Sequence, residues 1–159
     1  MFLHVIVPLD RSTFSENALP HAQRIADGFG AKITLVSVVE NPLHRADEFK
    51  TSLRVGDELY EVTVSETRQY MQKVAARLQA EGYEVDVRVV AGGDIAEKIA
   101  ETAVLVSADT LVMCTHGRSG VGRWLLGSVA DRVLHITPIP IVLVRPNAGS
   151  STKHLSKTK

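Results

Sequence analysis

Residues 114–128, CTHGRSGVGRWLLGS, carry the reading on which the fold of this chain turns. The stretch holds four glycines, one histidine and two arginines, and its closing Gly127-Ser128 pair runs straight into a helical pattern. It follows DTLVM at 109–113, an apolar run that reads as a buried strand. A glycine-rich loop between a strand end and a helix start offers bare backbone N–H groups and the positive end of a helix dipole. Phosphates bind such places. A nucleotide-binding function is therefore the first expectation.

Two familiar phosphate loops do not fit. A Walker A loop needs Gly-x4-Gly-Lys-Ser/Thr, but Gly117-x4-Gly122 is followed here by Arg123 and Trp124. The lysine for the terminal phosphates and the hydroxyl for Mg²⁺ are both missing. A dinucleotide fingerprint needs Gly120-x-Gly122-x-x-Gly, but position 125 is Leu, and the loop comes late in the chain rather than after the first strand.

Working outward, five apolar, β-branched-rich runs recur at 2–8, 32–39, 85–91, 110–115 and 139–144. They are mostly continuous rather than alternating, as strands covered on both faces are. Helical patterns lie between them. The first spans 12–29, with Ala18, Ala22, Ile25, Ala26 and Phe29 on one stripe, Gly30 as its stop and Pro20 inside it, at the cost of a backbone bond or a kink. The second spans 57–81, with Tyr60, Val64, Thr67, Met71, Val74 and Leu78 on its face and Gly82 at its end. The third, 94–107, buries Ile95, Ile99, Ala103 and Val106; the fourth starts at Ser128, carries Val129, Val133, Leu134 and Ile136, and stops before Pro138. Alternating strand and helix is the signature of a parallel α/β sheet with right-handed crossovers. Residues 40–56 read as a long loop. The domain is expected to occupy 1–146, and the Ser-, Thr- and Lys-rich segment 147–159 to be a disordered tail.

Composition narrows the function classes. At 159 residues the chain fits one domain with a real core, and 18 basic residues balance 18 acidic ones. Zero net charge gives no general attraction to nucleic acid or to an acidic membrane. One cysteine excludes an internal disulfide and suits a reducing compartment. MFLHVIVPLD at 1–10 is too short and too quickly polar for a signal peptide, and no 18-residue apolar run occurs, so a cytoplasmic protein without membrane insertion is expected. The six histidines show no metal-ligand spacing, and no Gly-x-Ser-x-Gly elbow is present.

The spacing Gly117-x9-Gly127-Ser128 between a strand and a helix resembles the nucleotide-binding universal stress protein family, whose motif is Gly-x2-Gly-x9-Gly-Ser/Thr. The resemblance extends through VPLD at 7–10, SENA at 15–18, ADTLVM at 108–113, LLGS at 125–128 and PIPIVLV at 138–144. It implies a single-domain, doubly wound, Rossmann-like five-stranded parallel sheet, with order 3-2-1-4-5 and helices on both faces. Ligands of such sheets sit beyond the C-terminal strand ends where strand order reverses. The resemblance implies a nucleotide site of Pro8, Leu9 and Asp10 from the first strand, Val38 from the second, and Met113, Cys114, His116, Gly117, Arg118 and Ser119 from the fourth and its loop. Gly127, Ser128 and Val129 complete it at the last helix. Asp10 is placed for a ribose hydroxyl, or caps the first helix, as Ser12 equally would; Ser128 donates to a phosphate, or serves as an N-cap. The sequence departs from the motif at its first glycine, which is Cys114. That residue adds bulk beside the nucleotide; it reads as a small buried strand-end residue rather than a redox handle.

ATP or AMP is the implied ligand, with Mg²⁺ arriving through the phosphates. The implied role is that of a regulatory sensor in stress response, its regulatory partner unidentified. A slow ATPase and a nucleotide-free interaction module of the same fold are the alternatives. A homodimer is implied through the last strand, by way of Ile139, Ile141 and Leu143.

Overall fold

The computed structural model describes residues 2–41, 53–115 and 126–145, with side chains in the middle stretch from residue 57 onward. The glycine-rich loop at 116–125, most of the 40–56 loop and the tail at 147–159 lie outside the described residues.

Five strands are observed: β1 (His4–Pro8), β2 (Lys32–Val39), β3 (Val85–Ala91), β4 (Thr110–Cys114) and β5 (Ile141–Val144). They form one parallel sheet in the order β3-β2-β1-β4-β5, which is the expected order. Every strand is followed in the sheet by a parallel neighbour, so each connection is a crossover that places a helix on a face. Alternation along the strands then sorts the core. Val5, Val7, Ile33, Leu35, Val112 and Cys114 point to one face, while Ile6, Val36, Leu111 and Met113 point to the other.

On the first face lie α1 (Thr13–Glu16), α2 (Leu19–Phe29) and α3 (Leu53–Ala80), which with the Ala18 cap of α2 contribute Ala22, Ala26, Met71, Val74 and Leu78. On the second lie α4 (Ile95–Leu105) and α5 (Ser128–Ile136), which contribute Ala96, Ile99, Ala103, Ala130 and Val133. The apolar runs read as continuous because both faces of the sheet are covered.

The helix expected over 12–29 is two helices. Ser12 caps α1, its hydroxyl accepting from the Ser15 amide at 3.1 Å. The chain turns at Asn17 and Ala18 before α2 begins, and Pro20 falls in the first turn of α2. There its missing N–H leaves no helical acceptor unserved, and its fixed φ suits the position. A break in the helix thus takes the place of a kink within it. Gly30 at φ 66° and Gly82 at φ 98° end α2 and α3 in the left-handed conformation. Ala31 N–H donates to Ala26 O and Tyr83 N–H to Leu78 O, closing both helices in the same motif. On α5, Val133 is fully buried but Leu134 and Ile136 face solvent, so only part of the expected apolar stripe packs inward.

At the opposite end of the sheet from the strand C-termini, Asp109 ties β1 to β4. Its Oδ2 accepts from the Leu3 and His4 amides at 2.6 and 3.2 Å, and its own amide donates to His4 O at 3.0 Å. The His4 ring lies 2.7 Å from the Thr34 hydroxyl through Nε2 and pairs in register with Lys32. Burial, and then the Lys32 ammonium, hold the His4 pKa below the ordinary 6.5; the Val106 backbone and the carboxylates of Asp109 and Asp86 oppose this. A depressed folded-state pKa means the unfolded chain takes up the proton first as pH falls. The contribution of His4 to stability is therefore present above about pH 6.5 and lost as pH drops through its folded-state value. Urea midpoints measured from pH 7.5 downward should fall more steeply for the wild type than for His4→Gln; equal slopes would rule out His4 as the group responsible.

Candidate functional site

β1 sits in the middle of the sheet, and the chain leaves it to one side through α1 and α2 toward β2 and returns on its other side at β4. Strand order reverses between β1 and β4, and the crossovers on either side leave opposite faces, so their C-terminal ends stand apart and open a crevice. A cavity of about 490 Å³ occupies it. Its lining includes Pro8, Leu9 and Asp10 from the β1 end, residues 36–40 from β2 and its end, and Met113, Cys114 and Thr115 from β4. Thr63 and Thr67 of α3, Ile95 and Ile99 of α4, and residues 127–130 at the start of α5 form the walls.

Two local structures shape this mouth. At the β1 end, Asp10 Oδ1 accepts from both the amide and the hydroxyl of Ser12, and the Asp10 amide donates to Ser15 Oγ at 3.3 Å. Ser15 Oγ in turn donates to Ser12 O at 2.8 Å. Asp10 thus supports the capping turn, while Ser12 itself is the N-cap; Asp10 is also a lining residue of the cavity. The hinge between Asp10 and Ser12 is Arg11, held at φ 67°.

At the other wall, Gly127 is the N-cap of α5, with φ −63° and ψ 148°, and makes no side-chain cap. Its amide donates to Thr115 O at 2.7 Å, tying the helix start to the β4 end. Ser128 is consequently the first helical residue and not the cap. The first amides of a helix have no intrahelical acceptor, and those of α5 begin at the cavity wall.

Nine of the residues expected at a nucleotide site come together around this one cavity: Pro8, Leu9, Asp10, Val38, Met113, Cys114, Gly127, Ser128 and Val129. His116, Gly117, Arg118 and Ser119 lie outside the described residues. Ile139, Ile141 and Leu143 are elsewhere, half-buried against the α4–α5 side of the core at the β5 edge. The sequence reading did not include Arg11, Ser37, Glu40, Thr63 or Thr67. Thr67 stood on the expected buried stripe of its helix, and Arg11 stood next to Asp10, but nothing in the spacing says that α3 reaches over the strand ends. Among the described residues no group of three or more His, Cys, Asp or Glu side chains could hold a metal ion. No described helix is long and apolar enough to cross a membrane.

A profile described as the Universal stress protein family matches residues 1–145. Universal stress protein MJ0531 of Methanocaldococcus jannaschii is 30% identical over 145 residues, covering 91% of this chain and 83% of the relative. Among solved structures, that of hypothetical protein MJ0577 superposes with a TM-score of 0.82 at 23% identity, over 94% of this chain and 99% of the other. A universal stress protein from Archaeoglobus fulgidus in complex with dAMP gives a TM-score of 0.65 at 18% identity, over 90% and 97% of the two chains. A universal stress protein in complex with cAMP gives 0.63 at 23% identity, over 91% and 97%.

Cys114, the departure from the glycine motif, lines the cavity and buries its sulfur against α1. Sγ donates to Phe14 O of α1 at 3.0 Å and packs with Val5, Val7 and Ala18. Burial pushes the thiol pKa up to about 11, with the Asp10 carboxylate adding to the shift and the Ala18 backbone opposing it. The thiolate is the reactive form. Between the ordinary value of 9.0 and about 11 the thiolate fraction at pH 8 drops by about a hundredfold. Disulfide-exchange labelling of the native protein at pH 8 should be at least about tenfold slower than that of the urea-unfolded chain. Comparable rates would show Cys114 to be exposed and reactive.

Proposed function

This chain belongs to the universal stress protein family, and we propose that its cavity binds an adenine nucleotide, ATP or AMP, as the signal of a regulatory protein in stress response. The observation that carries this reading is the single cavity shared by the β1 end, the β2 end and the first turn of α5. Its volume of about 490 Å³ falls within the range of roughly 300–1,000 Å³ usual for small-molecule sites. Its chemistry divides as a nucleotide's does. Val38, Met113, Ile95 and Ile99 give apolar surface for a base. Asp10 offers a carboxylate to ribose hydroxyls, and the α5 amides with Ser128 offer donors to phosphate. The dAMP and cAMP complexes of family members with the same fold support an adenine ligand.

In this reading the described residues of the cavity bind and orient the nucleotide. With no carboxylate–histidine cluster among the described residues, Mg²⁺ enters with the nucleotide, held by phosphates and water. The one cysteine, buried as a thiol, fits a reducing, cytoplasmic setting.

Assembly is the second part of the proposal. The two sheet edges differ. β3 carries Asp86 and Arg88, and Asp86 pairs with Lys32 at 2.7 Å, so its edge is charged. β5 reads Ile-Val-Leu-Val with no charge, and among the described residues no strand pairs with its outer side. A second copy at this edge would cover Ile139, Ile141 and Leu143.

Titration calorimetry of nucleotide-stripped protein with ATP and Mg²⁺, AMP and GTP is the direct test. Binding in the micromolar range with preference for adenine is expected. Gly127→Phe, at a backbone conformation open to any residue, should retain the fold and weaken ATP binding by tenfold or more, on the order of 1.4 kcal/mol. Absence of heat with every nucleotide, upheld by equilibrium dialysis, would leave a nucleotide-free module. For assembly, light scattering at micromolar concentration should return the mass of two chains for the wild type and one for Leu143→Lys; a monomeric wild type would sink the dimer.

A further inference from the structure

We propose that Arg11 is the side chain that recognises the ligand's phosphate in this cavity, and that Glu66 holds it aside until a phosphorylated ligand arrives. The proposal rests on the nucleotide reading above and adds to it a residue outside the glycine-rich loop, together with a competitor for that residue.

The charges around the cavity set the problem. Among the described lining residues Asp10 and Glu40 are carboxylates, and Arg11 is the one cation. An anionic ligand entering past two carboxylates needs a compensating positive charge, and a guanidinium is suited to phosphate because its fork donates two parallel bonds. The backbone holds Arg11 at this mouth by force of its neighbours. Its φ of 67° is a conformation that L side chains rarely adopt. Asp10 and Ser12 fix it from either side, through the two bonds between them and through the bonds each makes to Ser15. A strained residue persists where its surroundings over-determine it, and such residues gather at ligand sites.

The guanidinium currently spans to α3. Its Nη1 lies 3.3 Å from Glu66 Oε2, a long, one-pronged contact. Thr63 and Thr67 of the same helix line the cavity, whereas Glu66 stands outside the lining, so the ion pair draws the guanidinium of the lining residue Arg11 toward solvent beside the cavity. The Glu66 side chain is 63% exposed and that of Arg11 28%. A pair so open to water is weak and readily exchanged. A phosphate inside the mouth, partly shielded from water and able to take two bonds, is the better partner. Exchange of Glu66 for phosphate releases one tie to α3, while Tyr70 and Arg77 of α3 keep theirs to Glu16 of α1 at 2.9 Å each, so the scaffold of the mouth is retained.

The test uses the full chain, stripped of nucleotide, titrated with adenosine, AMP and ATP. Arg11→Gly suits the left-handed backbone and should fold at least as well as the wild type. It should weaken AMP and ATP by about tenfold or more, the usual effect of losing a charged hydrogen bond, while leaving adenosine unchanged. Glu66→Gln should tighten AMP and ATP, and this gain should vanish in the Arg11→Gly background, since freeing Arg11 is its cause. An equal loss for adenosine and AMP, or no loss for any ligand, would overturn the role of Arg11. A Glu66→Gln gain that persists without Arg11 would overturn the competition. If the wild type binds none of the three ligands, the nucleotide reading fails and this inference falls with it.

Discussion

The pairing of β1 with β2 on one side and β4 on the other is the constraint from which the rest of the molecule follows. A central parallel strand has both edges taken and both faces covered, so Val5, Ile6 and Val7 are fully buried and no polar side chain is tolerated among them. Parallel neighbours cannot be joined by tight turns, so each link becomes a crossover helix. The chain moves outward from β1 in one direction for β2 and β3, then crosses back for β4 and β5. That reversal puts α2 and α3 on one face and α4 and α5 on the other. The crevice between the β1 and β4 ends is a geometric by-product of this order.

What the crevice can do is decided by how the chain leaves it. After β1, Asp10, Ser12 and Ser15 spend their hydrogen bonds on a sharp turn into a four-residue helix, and the turn sets Arg11 in a left-handed conformation at the mouth. After the glycine-rich loop, Gly127 anchors to Thr115 and starts α5 at the cavity wall. One side therefore contributes side-chain charge and the other backbone donors. The opposite end of the sheet has a different character: there Asp109, His4, Thr34 and Lys32 tie the strand starts together, and the consequence is for stability rather than for binding.

Much of this architecture was legible in the residues. Strand runs of Val, Ile and Leu, each followed by a helical period, specify a parallel sheet, because only strands covered on both faces read without alternation. Gly30 and Gly82 marked the ends of α2 and α3, since a left-handed residue there costs glycine no side-chain clash. Ser107 fills the same place after α4 without that signal, at φ 54°. The first helix was misread as continuous because its apolar spacing runs on through the break at Asn17 and Ala18; Pro20 was the cue, and it belongs to a new first turn. Leu134 and Ile136 carried the helical spacing of a core stripe but face solvent, because α5 is packed only along the side that meets Leu111 and Met113.

The strand order, then, came from the family resemblance, while by itself the sequence determined which segments are strands and helices, which faces are apolar, and that Asp10, Val38 and Gly127 stand at strand and helix ends. These are local or periodic properties, written in neighbours a few residues apart. Only the tertiary structure decided that Thr63 and Thr67 from the middle of a long helix line the same cavity, that the Cys114 sulfur turns to the Phe14 carbonyl, and that Arg11 meets Glu66 across 55 positions of chain. Those contacts depend on the angle and depth at which α1 and α3 pack on the sheet. Side-chain volumes in the core set both, and no spacing along the chain records them.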